Sequence, residues 1–278
     1  MPDRRRVPGI KMIGVVSEVK DIWKKRGLAF TLAKADFKKR FVGNSFGILW
    51  MFVQPLVTVA IYYMVFTLLR GDRGQAGGPP FILWMIAGMI PWFFFNEAWN
   101  VSTTSLQEYS YLVKKVVFQI SVLPVVKIIS ALFVHLIFML ILFAMYIAMG
   151  YYPTIYWIQI PYYFVCMLLL IVGLAFLTSA VYVFFKDMGQ IVNIGLQFGM
   201  WLTPIMWEPQ MIPARFQWLI KLNPMYYIVE GYRDCLLEHQ WFWQFPKQTA
   251  YFWLLTLVFF FLGITVFRRL RPHFADVL

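Results

Sequence analysis

Two stretches of the sequence carry hydrogen-bonding side chains at helical spacing with no charge among them. Gln54, Thr58 and Tyr62 stand at i, i+4 and i+8, and Gln190, Asn193, Gln197 and Trp201 at i, i+3, i+7 and i+11, so on a helix each set makes one continuous stripe. Amides, hydroxyls and aromatic faces suit sugars and phosphodiesters better than ions, since rings offer broad apolar faces with polar handles. The stripes either bond helix to helix within a bundle or line a water-accessible path; both readings stand at this point. A third constellation lies in "LNPMYYIVEGYRDCLL", residues 222–237. Pro224 suits a first helical turn, after which Tyr226, Tyr227, Glu230, Arg233 and Asp234 share neighbouring faces, with Glu230 and Arg233 paired at i, i+3. A fourth is "SLQE", Ser105 to Glu108, which fits the capping box that opens a helix and leads to Tyr111 and the paired Lys114 and Lys115. As a bland alternative, those lysines merely fix topology.

The same residues limit the chemistry. Ion-coupled carriers need ionisable groups within the bilayer, where they are costly, and His135 is the one titratable group placed at depth, expected as a satisfied interhelical hydrogen-bond partner. Glu97 and Lys127 fall near span ends. A membrane-embedded transferase would need a base or nucleophile near the interface, and Glu230 with Asp234 or Glu97 with His135 are the nominations. No Gly-Lys dipeptide exists to complete a phosphate loop, so energy for uphill movement must come from another subunit.

The elements that hold these residues follow from composition. With 61% hydrophobic residues, 20% aromatics and a mean hydropathy of +0.66, the chain has more apolar surface than a soluble domain buries, so its solvent is lipid. A span needs about 20 apolar residues. The expected fold is an all-α integral membrane protein with six transmembrane helices, at about 44–69, 81–101, 122–149, 158–185, 188–207 and 248–267. "GYYPT" at 150–154 turns the chain between the third and fourth. Residues 208–240, interrupted by Pro209, Pro213 and Pro224, form short external re-entrant helices, with Trp207 and Trp218 beside the tyrosines. Residues 1–41 are a cytoplasmic segment, and 42–278 the six-helix domain. With both termini cytoplasmic, 19 basic residues fall inside and six outside, as the positive-inside rule requires. The net charge of +12 then reads as topology and anionic-lipid contact rather than nucleic-acid binding. Cys166 at mid-membrane and Cys235 outside are not expected to pair.

Before the first span, Met12, Val15, Val19, Ile22 and Trp23 recur at helical spacing, and Phe30, Ala33, Phe37 and Phe41 repeat the pattern opposite Lys34, Lys38 and Lys39. These are amphipathic helices lying in the headgroup plane, either a simple anchor or a docking platform for a cytoplasmic partner. No residue set has the spacing of a metal site.

"RFVGNSFGILWMFVQPLVTVAIYYMVF", "LVKKVVFQISVLPVVKIISAL", "VFFKDMGQIVNIGLQFGMWLTPIMW" and "LNPMYYIVEGYRDCLL" together resemble, in order and over about residues 30–270, the type-2 ABC exporter permeases of bacterial surface polymers. Length and the N-terminal region are most similar to the teichoic acid translocation permeases. The resemblance implies a homodimer in the bacterial plasma membrane, working with two copies of a separate ATPase subunit that holds ATP and Mg, and no cofactor in this chain. It implies a lipid-linked polymer as cargo: wall teichoic acid first, O-antigen or capsular polysaccharide as the alternative. It further implies that the interfacial helix (Trp23, Phe30, Phe37, Lys38, Lys39) and the segment Ser105, Glu108, Tyr111, Lys114, Lys115 touch the ATPase, that the first and fifth spans part to admit polymer, and that the external helices with Trp207, Trp218, Tyr226, Tyr227, Glu230, Arg233 and Asp234 frame the exit as a gate, a structural clamp being the alternative. Gln119 and Ile120 stand where relatives usually carry Pro-Arg, so a salt bridge from that Arg is absent or moved.

Overall fold

The computed structural model describes residues 20, 22–40, 46–70, 79–114 and 118–278. Lys115, Phe41 and the Met12, Val15, Val19 series lie outside the described residues. All regular structure among those described is helical: α1 (Arg26–Lys39), α2 (Trp50–Arg70), α3 (Phe81–Thr103), α4 (Ser105–Glu108), α5 (Ser110–Val113), α6 (Val122–Ala148), α7 (Ile160–Phe184), α8 (Met188–Leu202), α9 (Gln217–Lys221), α10 (Pro224–Arg233), α11 (Pro246–Leu270) and α12 (Phe274–Val277).

Among the described residues, five helices are long and apolar enough to cross a membrane: α2, α3, α6, α7 and α11. The expected span at 188–207 is shorter than its hydropathy indicated. α8 stops after 15 residues, at Leu202, because Pro204 pushes Thr203 into the extended region (φ −84°, ψ 126°). At 1.5 Å per residue it covers about 22 Å, and the segment after it folds back over the bundle end instead of continuing through.

α3 is the central helix. Of its apolar stretch 67% is buried within the molecule, against 6% for α2. It packs on α6, α7 and α10, and Met85, Met89, Leu170, Ile171, Leu142 and Phe252 meet in one core. The most extensive pairing is α7 with α11, where the backbones themselves touch: a Cβ on Gly263 would stand 2.1 Å from the Gly173 carbonyl oxygen, and one on Gly173 2.7 Å from the Phe260 nitrogen. Small residues allow this approach in lipid, where packing rather than hydrophobic expulsion holds helices together. At the turn between α6 and α7, Gly150 takes φ +86°, which glycine adopts without steric cost.

α1 lies against α6 rather than on lipid alone. Its inward face is Ala29, Ala33 and Asp36, with Ala29 and Ala33 set on Val122 and Val126. Phe30 and Phe37 flank that contact edge-on to Phe133, at 5.6 and 5.7 Å. The expected apolar face is therefore rotated, and a carboxylate occupies its centre; Trp23, Lys38 and Lys39 remain exposed.

Candidate functional site: a polar face, a charged hub and an acidic cavity

α3 gives the site its axis. Arg40 reaches Glu97 at one of its ends and Arg233 reaches Trp84 at the other, thirteen residues or about 20 Å apart along the helix.

At the Glu97 end, a charged hub ties four elements together. Lys127, 5% exposed, donates to Asp36 Oδ1 (2.7 Å) and Glu108 Oε2 (2.6 Å). Tyr109 donates to the same Asp36 oxygen (2.7 Å). Arg40 Nε stands 3.4 Å from Asp36 Oδ2, and its NH1 is 2.5 Å from Glu97 Oε1. Burial pushes the Asp36 carboxyl up, but the bonds from Lys127 and Tyr109 outweigh it and hold it below the usual carboxylate range. Burial, then the Asp36 charge, pushes the Tyr109 phenol up and keeps it a donor. Sequence reading missed Asp36 and saw Lys127 only as a span-end marker, for the two are 91 residues apart.

The capping box is not made. Thr104 occupies the N-cap of α4 without a side-chain cap; the Ser105 hydroxyl, fully buried, donates back to the Ser102 carbonyl (2.6 Å). Continuity with α3 leaves no free amide for Ser105 to satisfy. Glu108 instead accepts from Thr104 Oγ1 (2.7 Å) and Lys127. Tyr111 and Lys114 are exposed at this end, and Lys186 reaches Gln107.

Along the membrane, the two stripes ride on α2 and α8, each of which packs against α3. Gln54, Gln190, Gln197 and Trp201 are exposed, Trp201 at 59%. Thr58 bonds only within its helix, to the Gln54 carbonyl. Asn193 alone bonds another helix, through Asn100. Helix-to-helix bonding within one chain thus accounts for one stripe member of seven. Gln54, Thr58 and Tyr62 line a cavity of about 450 Å³ with Trp92, Phe138 and His135; the α8 stripe stays outside it.

His135 is not the satisfied partner the sequence led us to expect. It is 3% exposed, stacked between Phe94 (4.6 Å) and Phe164 (5.5 Å), and neither ring nitrogen has a protein partner. Glu97 lines the same cavity but is taken by Arg40, so the nominated Glu97 and His135 form no acid–base pair.

At the Trp84 end, Asn223 caps α10 by accepting from the Met225 amide (3.0 Å), ahead of Pro224. Arg233, 1% exposed, has all three guanidinium nitrogens engaged: Nε with the Trp84 carbonyl, NH1 with the Pro204 carbonyl and Glu230 (2.6 Å), and NH2 with the Ile205 carbonyl. The guanidinium also lies 3.4 Å over the Trp84 ring. Gly88 makes room for it, since a Cβ there would stand 3.0 Å from NH2. α10 then widens into a π-helical turn, Asp234–Glu238, closed by His239 in the left-handed region (φ 56°). Tyr226, Tyr227, Glu230, Arg233 and Asp234 line a second cavity of about 570 Å³. Trp207 donates to the Trp201 carbonyl, and Trp218 is exposed outside this cavity. Cys166 and Cys235 are separate, buried thiols, so a labelling reagent from either side meets a closed core at Cys235.

Comparison with known proteins sets this geometry in context. The model of the ABC-2 type transporter family matches residues 28–237. Two relatives from Klebsiella pneumoniae, each named O-antigen export system permease protein RfbA, are 26% and 27% identical over 252 and 254 residues, covering 90% of this chain and 95% of theirs. A third of the same name, from Myxococcus xanthus, is 24% identical over 262 residues, covering 93% of this chain and 98% of its own.

Proposed function

This chain belongs to the ABC-2 type transporter family, and from that premise we propose that it is the permease through which an ATP-driven exporter moves a lipid-linked polysaccharide of the O-antigen class out across a bacterial plasma membrane. It is a multi-pass membrane permease with no catalytic step of its own; ATP is hydrolysed by a separate ABC ATPase. The observation that carries the choice of cargo is the near end-to-end likeness to three permeases named for O-antigen export. This replaces the expectation of wall teichoic acid, which rested on length and the N-terminal region alone.

Two features support a path along α2 and α8. On α8, Gln190, Gln197 and Trp201 are exposed, and on α2, Gln54, Thr58 and Tyr62 line an open cavity, polar faces that want partners or water within a membrane. A second copy related by a two-fold axis closes those faces around a shared lumen most economically. The hub end faces the cytoplasm in this reading, because Lys114, Lys186, Arg268, Arg269 and Arg271 gather there. The partner ATPase then seats on α4, α5 and the exposed side of α1. Closure of two ATPase subunits would be transmitted through Asp36 and Lys127 to α1 and α6 together.

Deleting the gene tests the reading. Surface polysaccharide is expected to disappear while its lipid-linked precursor accumulates inside, with both reversed by restoring the chain. Normal surface polysaccharide in the deletion strain would refute it.

A further inference from the structure

The cavity beside α10 has features that polymer passage along α2 and α8 does not use. Its inner wall carries Asp234, 8% exposed, whose carboxylate has no hydrogen bond or ion pair to any described residue. Buried carboxylates are ordinarily paired. Glu230 and Glu238 stand on the same wall, and the buried cation among the lining residues, Arg233, is engaged by three carbonyls and Glu230. The lining carries four carboxylates, Glu208, Glu230, Asp234 and Glu238, against two cations, Lys221 and Arg233, a balance that disfavours a phosphate, while the Gln248 amide nitrogen adds a buried donor to these acceptors, as a hydroxyl-bearing ligand requires. Tyr226 and Phe245 add ring surface, and the exposed Gln210 and Lys221 mark an open rim. A volume of about 570 Å³ admits two or so sugar rings. Among the described residues no group of three or more His, Cys, Asp or Glu is placed to hold a metal ion.

We propose that this cavity is a saccharide-binding site for non-phosphorylated units of the exported chain, with Asp234 as its buried hydrogen-bond acceptor. The assignment rests on the export reading above. The cavity lies at the Trp84 end of α3, opposite the hub end that the export reading places in the cytoplasm, so in that reading it holds units that have already crossed. It also selects against polyol-phosphate polymers by charge rather than by size.

Photo-crosslinking separates this assignment from the reading it rests on. A benzoylphenylalanine replaces Gln210 at the rim, Gln197 on the path, or Leu254 on the outer face of α11, in cells making the polysaccharide. Polysaccharide adducts are expected at Gln210 and Gln197 and not at Leu254. Asp234→Asn should lower the Gln210 adduct about tenfold, the worth of one hydrogen bond, while the Gln197 adduct persists. A soluble glycerol-phosphate hexamer added to spheroplasts should leave the Gln210 adduct unchanged. An adduct at Gln197 without one at Gln210, a Gln210 adduct indifferent to Asp234→Asn, or competition by the phosphate hexamer would each overturn the site alone. No adduct at either position would count against export itself.

Discussion

Asp36 and Lys127 form the pair whose removal has the clearest expected cost. Both are buried, and taking away one partner of a buried ion pair leaves an uncompensated charge, typically costing about 3–5 kcal/mol. We expect Lys127→Met to lower the thermal midpoint of the detergent-solubilised protein sharply, and Asp36→Asn with Lys127→Met to recover most of the loss; additive losses would mean the pair is not coupled. Because Asp36 titrates below its usual range, its contribution is present above the unfolded carboxylate value of about 3.9 and is lost only as pH falls through the lower folded value. The contribution of Asp36 should therefore hold unchanged from pH 8 to 5. Asp234 has the opposite sign. Burial first, then the charges of Glu230 and Glu238, push it up to about 7, so the folded protein keeps a proton that the unfolded chain releases, and stability falls as pH rises from about 4 to 7. Asp234→Asn should raise the midpoint at pH 8 by roughly 2–4 °C for each kcal/mol relieved, with the gain shrinking toward pH 5. A loss of stability at pH 8 would show Asp234 to be a structural residue. Of these side chains, the Glu230 and Arg233 pair was legible in the sequence because it is local, at i, i+3. Asp36 was not, since nothing local says that a carboxylate on a basic helix turns inward toward a lysine 91 positions on.

Among the elements, the α7 and α11 crossing is the structural keystone. Gly263→Val puts a side chain where the Gly173 carbonyl lies 2.1 Å from the Cβ position; a backbone cannot yield as a flexible side chain would, so the helices must separate. Gel filtration of the solubilised variant should show loss of the folded species. By contrast Gly195 on α8 has nothing within 4 Å of a Cβ, and Gly195→Ala should fold as well as the parent. If both behave alike, the crossing is not what holds the two helices. The long apolar helices were legible from hydropathy to within a few residues. The length of α8 was not, because averaging over 188–207 hides the stop that Pro204 imposes at Thr203.

At the scale of the whole molecule, α2 and α8 leave polar side chains exposed. α2 is almost unburied, Gln190 and Gln197 on α8 are exposed, and Gln54 lines an open cavity; the second copy proposed above would cover these faces. The stripes were readable as periodicity, but the choice between internal glue and a path needed the helix neighbours, which the sequence alone does not supply. Replacing Gln197 or Tyr62 by Leu should impair export while leaving assembly intact; unchanged export would return the stripes to a packing role. The most direct test of the account is transport in inside-out membrane vesicles containing this permease, its ATPase and labelled lipid-linked polysaccharide. ATP should drive label into the lumen only when both proteins are present, and Gln197→Leu should slow that movement. Equal movement of label in vesicles lacking the permease would contradict the central claim.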